Sequence, residues 1–149
     1  MLVDDDRNDL ALFGMAAERV DVNIWLQTAS SAEQAIDYLE GKDHYADRTL
    51  HPVPDLLLLD LVMPGMDGFD FLAWRKNSPP PVKVPVIVLS GLGEREKTER
   101  ALALGADSYL PKPADFDGWK ELAKTVWELG IKHAREARAH RAEQKRQAG

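Results

Sequence analysis

The sequence predicts an α/β fold, a doubly wound sheet of five parallel strands in a single domain, and three observations predict it. Short apolar stretches alternate with amphipathic helical patterns five times, the order expected of such a sheet. The runs Leu56-Leu57-Leu58-Leu59 and Val86-Ile87-Val88-Leu89 are apolar without alternation, as strands covered by helices on both faces require. A length of 149 residues leaves room for one core and no second folded module.

Met1, Leu2 and Val3 supply the first strand, short of the usual length of about five residues, so fraying or a missing start is expected. Asn8 to Arg19 places Leu10, Phe13, Ala17 and Val20 at helical spacing. Asn23 to Thr28 reads as the second strand, and Ala32 to Leu39 as the second helix, with Ala32, Ala35, Ile36 and Leu39 on one face and Ser30 or Ser31 as N-cap. Leu56 to Leu59 and Val84 to Leu89 are the third and fourth strands, and Gly68 to Lys76 and Glu94 to Leu104 the helices that follow them. Ser108 to Leu110 is the fifth strand. The last helix runs from Phe116 to about Ile131 behind an Asp115 cap, its stripe of Trp119, Leu122, Ala123, Val126 and Trp127 read as core packing. Gly41 to Pro54 and Asn77 to Pro85 read as loops.

Composition narrows the chemistry. The chain is 44% hydrophobic and 30% charged, has no cysteine, and holds no apolar run near the roughly 20 residues that cross a membrane. Disulfides, thiolate metal sites and thiol nucleophiles are excluded. The start is unlike a secretory signal, so the cytoplasm is the default expectation, and a net charge of -6 argues against nucleic acid as a partner. From Lys132 to Arg146 the charge is +4, leaving about -10 on residues 1–131.

In a doubly wound sheet ligands bind where the strands end, so the residues just after each strand carry the function. Asp4, Asp5 and Asp6 follow the first strand and Asp60 the third. Carboxylates brought this close repel, and either one takes up a proton or a hard cation neutralises them; oxygen ligands suit magnesium, the reading favoured here. Ser90 ends the fourth strand, and Lys112, in the pair Lys112-Pro113, follows the fifth. Such a set suits phosphoryl transfer: a carboxylate attacks phosphorus, cation and lysine offset the charge on the equatorial oxygens, and the hydroxyl donates a hydrogen bond. An acidic first loop and the lack of a glycine-rich loop disfavour a flavin-type phosphate site.

These residues resemble the receiver domains of bacterial two-component response regulators over nearly all of residues 1–130. The strongest part is Leu59-Asp60-Leu61-Val62-Met63-Pro64-Gly65-Met66-Asp67-Gly68, which is similar to the family's phosphorylation loop. The resemblance implies a flavodoxin-like fold with the receiver unit at residues 1–131 and a basic helical extension or tail at 132–149. It implies Asp60 as phosphoacceptor, with Asp4, Asp5, Asp60 and the Val62 backbone carbonyl holding magnesium. Lys112 contacts the phosphate, Ser90 and Tyr109 are the switch hydroxyl and aromatic, and the peptide bond before Pro113 is cis. The family's phosphoryl-lifetime positions are here Val62 and Leu92, both apolar, which implies slow hydrolysis. The implied partners are a histidine kinase or phosphotransfer protein and a downstream protein target reached through the fourth helix, fifth strand and fifth helix. Nucleic acid and membrane are not expected as partners. The loop before Asp55 and the Phe116 and Trp119 region are similar to stand-alone regulators paired with bacterial phytochromes. The chain is then a switch rather than an enzyme. The rivals are a constitutive interaction module without phosphorylation and a haloacid-dehalogenase-type hydrolase, whose second aspartate would stand where Val62 does.

Plainer roles are expected elsewhere. A lone Asp beside a strand is usually a turn or cap residue, and only the matched positions together outweigh that. Asp6 and Asp9 read as favourable charges near the first helix's start, Asp55 as the entry to the third strand, and Asp67 as a turn residue. Tyr109 stays open between a half-buried structural aromatic and a moving switch. His44, His51, His133 and His140 lack metal spacing. The tail reads as a solvated helix extension, with a homodimer or partner contact as its main rival and nucleic-acid binding a distant third.

Overall fold

The computed structural model describes residues 1–78, 84–91 and 93–149, so Leu92 and the middle of the loop from Asn77 to Pro85 lie outside the described residues. Five parallel strands form one sheet in the order β2-β1-β3-β4-β5. They are β1 (Leu2–Val3), β2 (Thr28–Ala29), β3 (Leu57–Asp60), β4 (Val86–Ser90) and β5 (Ser108–Pro111). Each is followed by a helix: α1 (Arg7–Arg19), α2 (Ala32–Glu40), α3 (Gly68–Lys76), α4 (Arg95–Ala103) and α5 (Phe116–Ala148). Strand side chains alternate between faces, and this sorts the core into two layers. Val3, Leu57, Leu59, Val86 and Val88 pack with Ile36, Leu39, Phe71, Leu72 and Ala101 of α2, α3 and α4. Leu2, Leu58, Ile87 and Leu89 pack with Phe13 of α1 and Trp119 and Leu122 of α5. The Phe13 and Trp119 rings meet edge to face, 6.2 Å between centroids, fixing α1 against α5.

Two elements differ in extent from the sequence reading. The second strand was expected over Asn23 to Thr28, but only Thr28 and Ala29 pair. The cause is the neighbour: this edge strand pairs only with β1, whose two residues offer only the registers Leu2 to Thr28 and Val3 to Ala29. The last helix runs to Ala148 rather than to about Ile131. No Gly or Pro interrupts residues 131–148, and Ala, Lys, Arg, Glu and Gln all favour helix. Among the described residues no helix is long and apolar enough to cross a membrane.

At the strand-entry end one side chain ties three segments together. Arg75 donates to the Val84 carbonyl at 2.9 Å, to the Gly105 carbonyl at 2.9 Å and to Asp107 Oδ2 at 3.0 Å, and that same Asp107 oxygen accepts the Val86 N–H at 2.7 Å. Arg75→Ala leaves these carbonyls and the carboxylate short of donors, so urea unfolding is expected to register a loss of about 2–3 kcal/mol.

Candidate functional site

The strand order reverses between β1 and β3, and the carboxyl ends of these strands open into the crevice where the acids gather. Asp4 leaves β1 fully buried, its Oδ1 accepting the Asp6 N–H at 2.9 Å. Asp6, expected only as a favourable charge near the helix start, itself caps α1 by accepting the Asn8 N–H at 2.9 Å. Asp60 ends β3. Asp4, Asp5 and Asp60 each place a carboxylate oxygen within 4.8 Å of the other two, and Asp5 is the exposed member.

Lys112 enters from the far side of the sheet. Its backbone N–H donates to the Ser90 carbonyl at 2.7 Å, continuing the β4–β5 ladder one residue beyond Pro111 and setting lysine and serine side by side. The ammonium lies 2.8 Å from Asp9 Oδ2, 3.3 Å from Asp4 Oδ2 and 3.7 Å from Asp60 Oδ2. Five of the expected side chains, Asp4, Asp5, Asp60, Ser90 and Lys112, are therefore drawn from four strand ends to one edge.

Asp9 has a second role that sequence reasoning missed. It lies in the first turn of α1, where its charge favours the helix start as expected, and its carboxylate is also the closest partner of Lys112. The usable signal was direction: helical side chains lean toward the helix N-terminus, so a carboxylate in the first turn of α1 reaches back over the end of β1. Asp67 likewise does more than turn the chain. It caps α3 by accepting the Asp70 N–H at 2.9 Å, while Asp70 accepts the Asp67 N–H at 3.1 Å. The bond between Lys112 and Pro113 is trans, contrary to the cis form the resemblance implied; Lys112 is instead aimed by its ladder bond to Ser90.

The phosphorylation-like loop after Asp60 is tightly folded. A Cβ on Gly68 would stand 2.7 Å from the Leu61 Cα and 2.8 Å from the Asp60 carbonyl oxygen, so only glycine lets α3 begin against the end of β3. Glu33 of α2 accepts the Met66 N–H at 3.2 Å and ties the loop to the neighbouring helix. Val62 is 57% exposed, and Tyr109, on the edge strand, is 52% exposed.

Charge decides what the site holds. Three carboxylates, Asp4, Asp9 and Asp60, face one ammonium, and Asp5 stands beside Asp4 and Asp60. Burial pushes the Asp4 carboxyl up to about 7, against the Asp6 N–H bond and with the help of the Asp60 charge. Burial also raises Asp60, opposed by the Lys112 charge and the Val62 N–H. For Lys112, burial works against the ammonium, but the bond to Asp9 and the charges of Asp60 and Asp4 outweigh it and hold its pKa above the ordinary lysine value. An all-oxygen donor set with surplus negative charge fits a hard divalent cation such as magnesium, and exposed Asp5 gives it an entry. A groove among Trp25, Val53, Trp127 and Ile131, about 500 Å³, lies by the entries of β1 and β3, away from the acids.

A model of the family described as "Response regulator receiver domain" matches residues 1–124. Among solved structures, the phosphorylated cyanobacterial phytochrome response regulator RcpA is 29% identical, with a TM-score of 0.75 over 87% of this chain and 91% of that one. The response regulator RPA3017 in red light signalling of R. palustris is 30% identical, with a TM-score of 0.76 over 85% of this chain and 89% of that one. Among curated proteins, the transcriptional regulatory protein CpxR of Escherichia coli is 36% identical over 113 residues, 76% of this chain and 42% of that protein. The phosphate regulon transcriptional regulatory protein PhoB of the same species is 38% identical over 74 residues, half of this chain and 32% of that protein. The chain thus spans well under half the length of these curated relatives.

Proposed function

The chain belongs to the response regulator receiver domain family, and on that premise we propose that it is a signalling switch that accepts a phosphoryl group on Asp60. The observation that carries this reading is the convergence of three carboxylates with Lys112 at one strand edge. A carboxylate oxygen of Asp60 attacks the phosphorus of a phosphohistidine on a histidine kinase or phosphotransfer protein. The P–O bond forms as the P–N bond breaks, and the departing imidazole nitrogen takes up a proton. Asp4, Asp5, Asp60 and the Val62 backbone carbonyl would hold magnesium, which would supply charge neutralisation on the phosphoryl oxygens. Lys112 pairs with a phosphoryl oxygen and Ser90 donates a hydrogen bond to another.

Signalling follows from where those two groups sit. Ser90 ends β4 and Tyr109 lies in β5, so a phosphoryl group that draws the hydroxyl inward biases the exposed tyrosine between two positions. With Leu102, 37% exposed on α4, it belongs to the face that meets a downstream protein. We assign residues 1–131 to the receiver unit, acting in the cytoplasm, and 132–149 to a basic helical extension. The kinship with RcpA and RPA3017 favours a phytochrome-type kinase as the phosphoryl source.

Acetyl phosphate tests the reading without the native kinase. Intact mass spectrometry is expected to find one added phosphoryl group when magnesium is present, none with a chelator, and none for Asp60→Asn. A constitutive interaction module gains nothing under any condition. The apolar, exposed Val62 side chain cannot hold a water for attack on the acyl phosphate, so Val62→Asn is expected to shorten the phosphoryl lifetime in a chase with acetyl phosphate removed. An unchanged lifetime contradicts this assignment.

A further inference from the structure

A place in the first turn of α1 suits the Asp9 charge but does not by itself explain where its carboxylate points. Asp6 already fills the capping role at α1, so the Asp9 carboxylate is left to Lys112. The pair is well shielded, the Asp9 side chain 15% exposed and that of Lys112 28%, and at 2.8 Å it is the shortest of the ammonium's three contacts.

The other two partners are the wrong ones to rely on. Asp4 and Asp60 belong to the triad whose oxygens lie close enough to share a cation, and Asp9 does not. Once a divalent cation draws on Asp4 and Asp60, it repels the ammonium beside them, and the positive start of α1 adds to that repulsion. A lysine on a flexible four-carbon stem then leaves the site unless something else holds it. Asp9 is the remaining carboxylate at the right distance. Its own position is firm, because α1 is locked to α5 through Phe13 and Trp119.

We propose that Asp9 is a positioning residue for phosphoryl transfer: it keeps the Lys112 ammonium beside Asp60 while the cation occupies the Asp4, Asp5 and Asp60 carboxylates. The inference rests on the phosphoryl-acceptor reading above and adds a residue to it. Asp9 touches neither phosphorus nor cation and acts only through the lysine.

A double-mutant cycle separates this role from a merely structural one. Initial rates of phosphorylation by acetyl phosphate at saturating magnesium are measured for the unaltered protein, Asp9→Asn, Lys112→Ala and the double variant. Asp9→Asn is expected to slow the reaction about 5- to 10-fold, Asp9→Glu to restore part of that rate, and the double variant to match Lys112→Ala. Asp9→Ser gives the same comparison if Asp9→Asn does not fold. An equal loss in the Lys112→Ala background makes Asp9 structural and overturns the proposal, as does an unchanged or faster rate in the single variant. Failure of the unaltered protein to take up phosphate, or labelling that survives Asp60→Asn, overturns the acceptor reading itself and is told apart by those controls.

Discussion

Asp4→Asn is expected to raise the melting temperature of the metal-free protein at pH 8 by roughly 6 °C, about 2 kcal/mol, and to abolish its stabilisation by magnesium. Asp4 is fully buried, and burial lifts its carboxyl from 3.8 to about 7. Between these values the folded protein holds a proton that the unfolded chain has released. The stability of the metal-free protein therefore falls as the pH rises from about 4 to about 7 and is level above that, as far as Asp4 sets it. The amide removes the charge, and its oxygen still accepts the Asp6 N–H; the loss of one Lys112 contact is the smaller effect. A cation must displace the same proton, so the rise in melting temperature that magnesium gives is expected to be small at pH 5 and largest at pH 8. Melting curves across that range, with magnesium and with a chelator, check both statements. Stabilisation by magnesium that is equal at pH 5 and pH 8 contradicts the assignment of Asp4 to the cation.

Lys112→Ala is expected to act in the opposite sense on stability and far more strongly on chemistry. The ammonium is the positive charge that faces Asp4, Asp9 and Asp60, and without it three carboxylates remain together with no counter-charge among the described residues. The metal-free protein is expected to lose about 2 kcal/mol at pH 8, less than a fully buried pair would, since the lysine is partly exposed. Magnesium is expected to recover much of that loss. The phosphorylation rate is not recovered in the same way, because the cation cannot replace a donor aimed at the phosphoryl oxygens; a drop of about 100-fold is expected with acetyl phosphate. Urea unfolding with and without magnesium, beside initial rates, separates the two effects. A variant that folds less stably yet phosphorylates at the original rate removes Lys112 from the chemistry.

How much of this was legible depends on what each feature requires. The strand ends were, because the unbroken apolar runs through Leu59 and Leu89 mark where the polar residues begin, and parallel pairing brings those ends to one edge. The extent of β2 was not: Asn23 to Thr28 has the right composition, but pairing is limited by the length of β1, a property of another segment. The run of α5 beyond Ile131 follows from helix propensity alone, yet a tail without large apolar residues gives periodicity nothing to mark. Asp9 marks the boundary most clearly. Residue type and position suit a helix-dipole role, and only the direction of its side chain, together with Lys112 arriving 103 positions later, turns it into an ion pair. The trans bond before Pro113 was outside the reach of the residues themselves.

Reduction of the phosphorylated protein with borohydride, which converts an aspartyl phosphate to homoserine, followed by peptide sequencing, locates the labelled carboxyl directly. The expected result is homoserine at position 60 alone, formed after treatment with acetyl phosphate and magnesium and lacking when magnesium is chelated. Conversion at Asp4 or Asp5 instead, or at position 60 to the same extent without a cation, would contradict the division of labour in which those acids hold the metal and Asp60 attacks phosphorus.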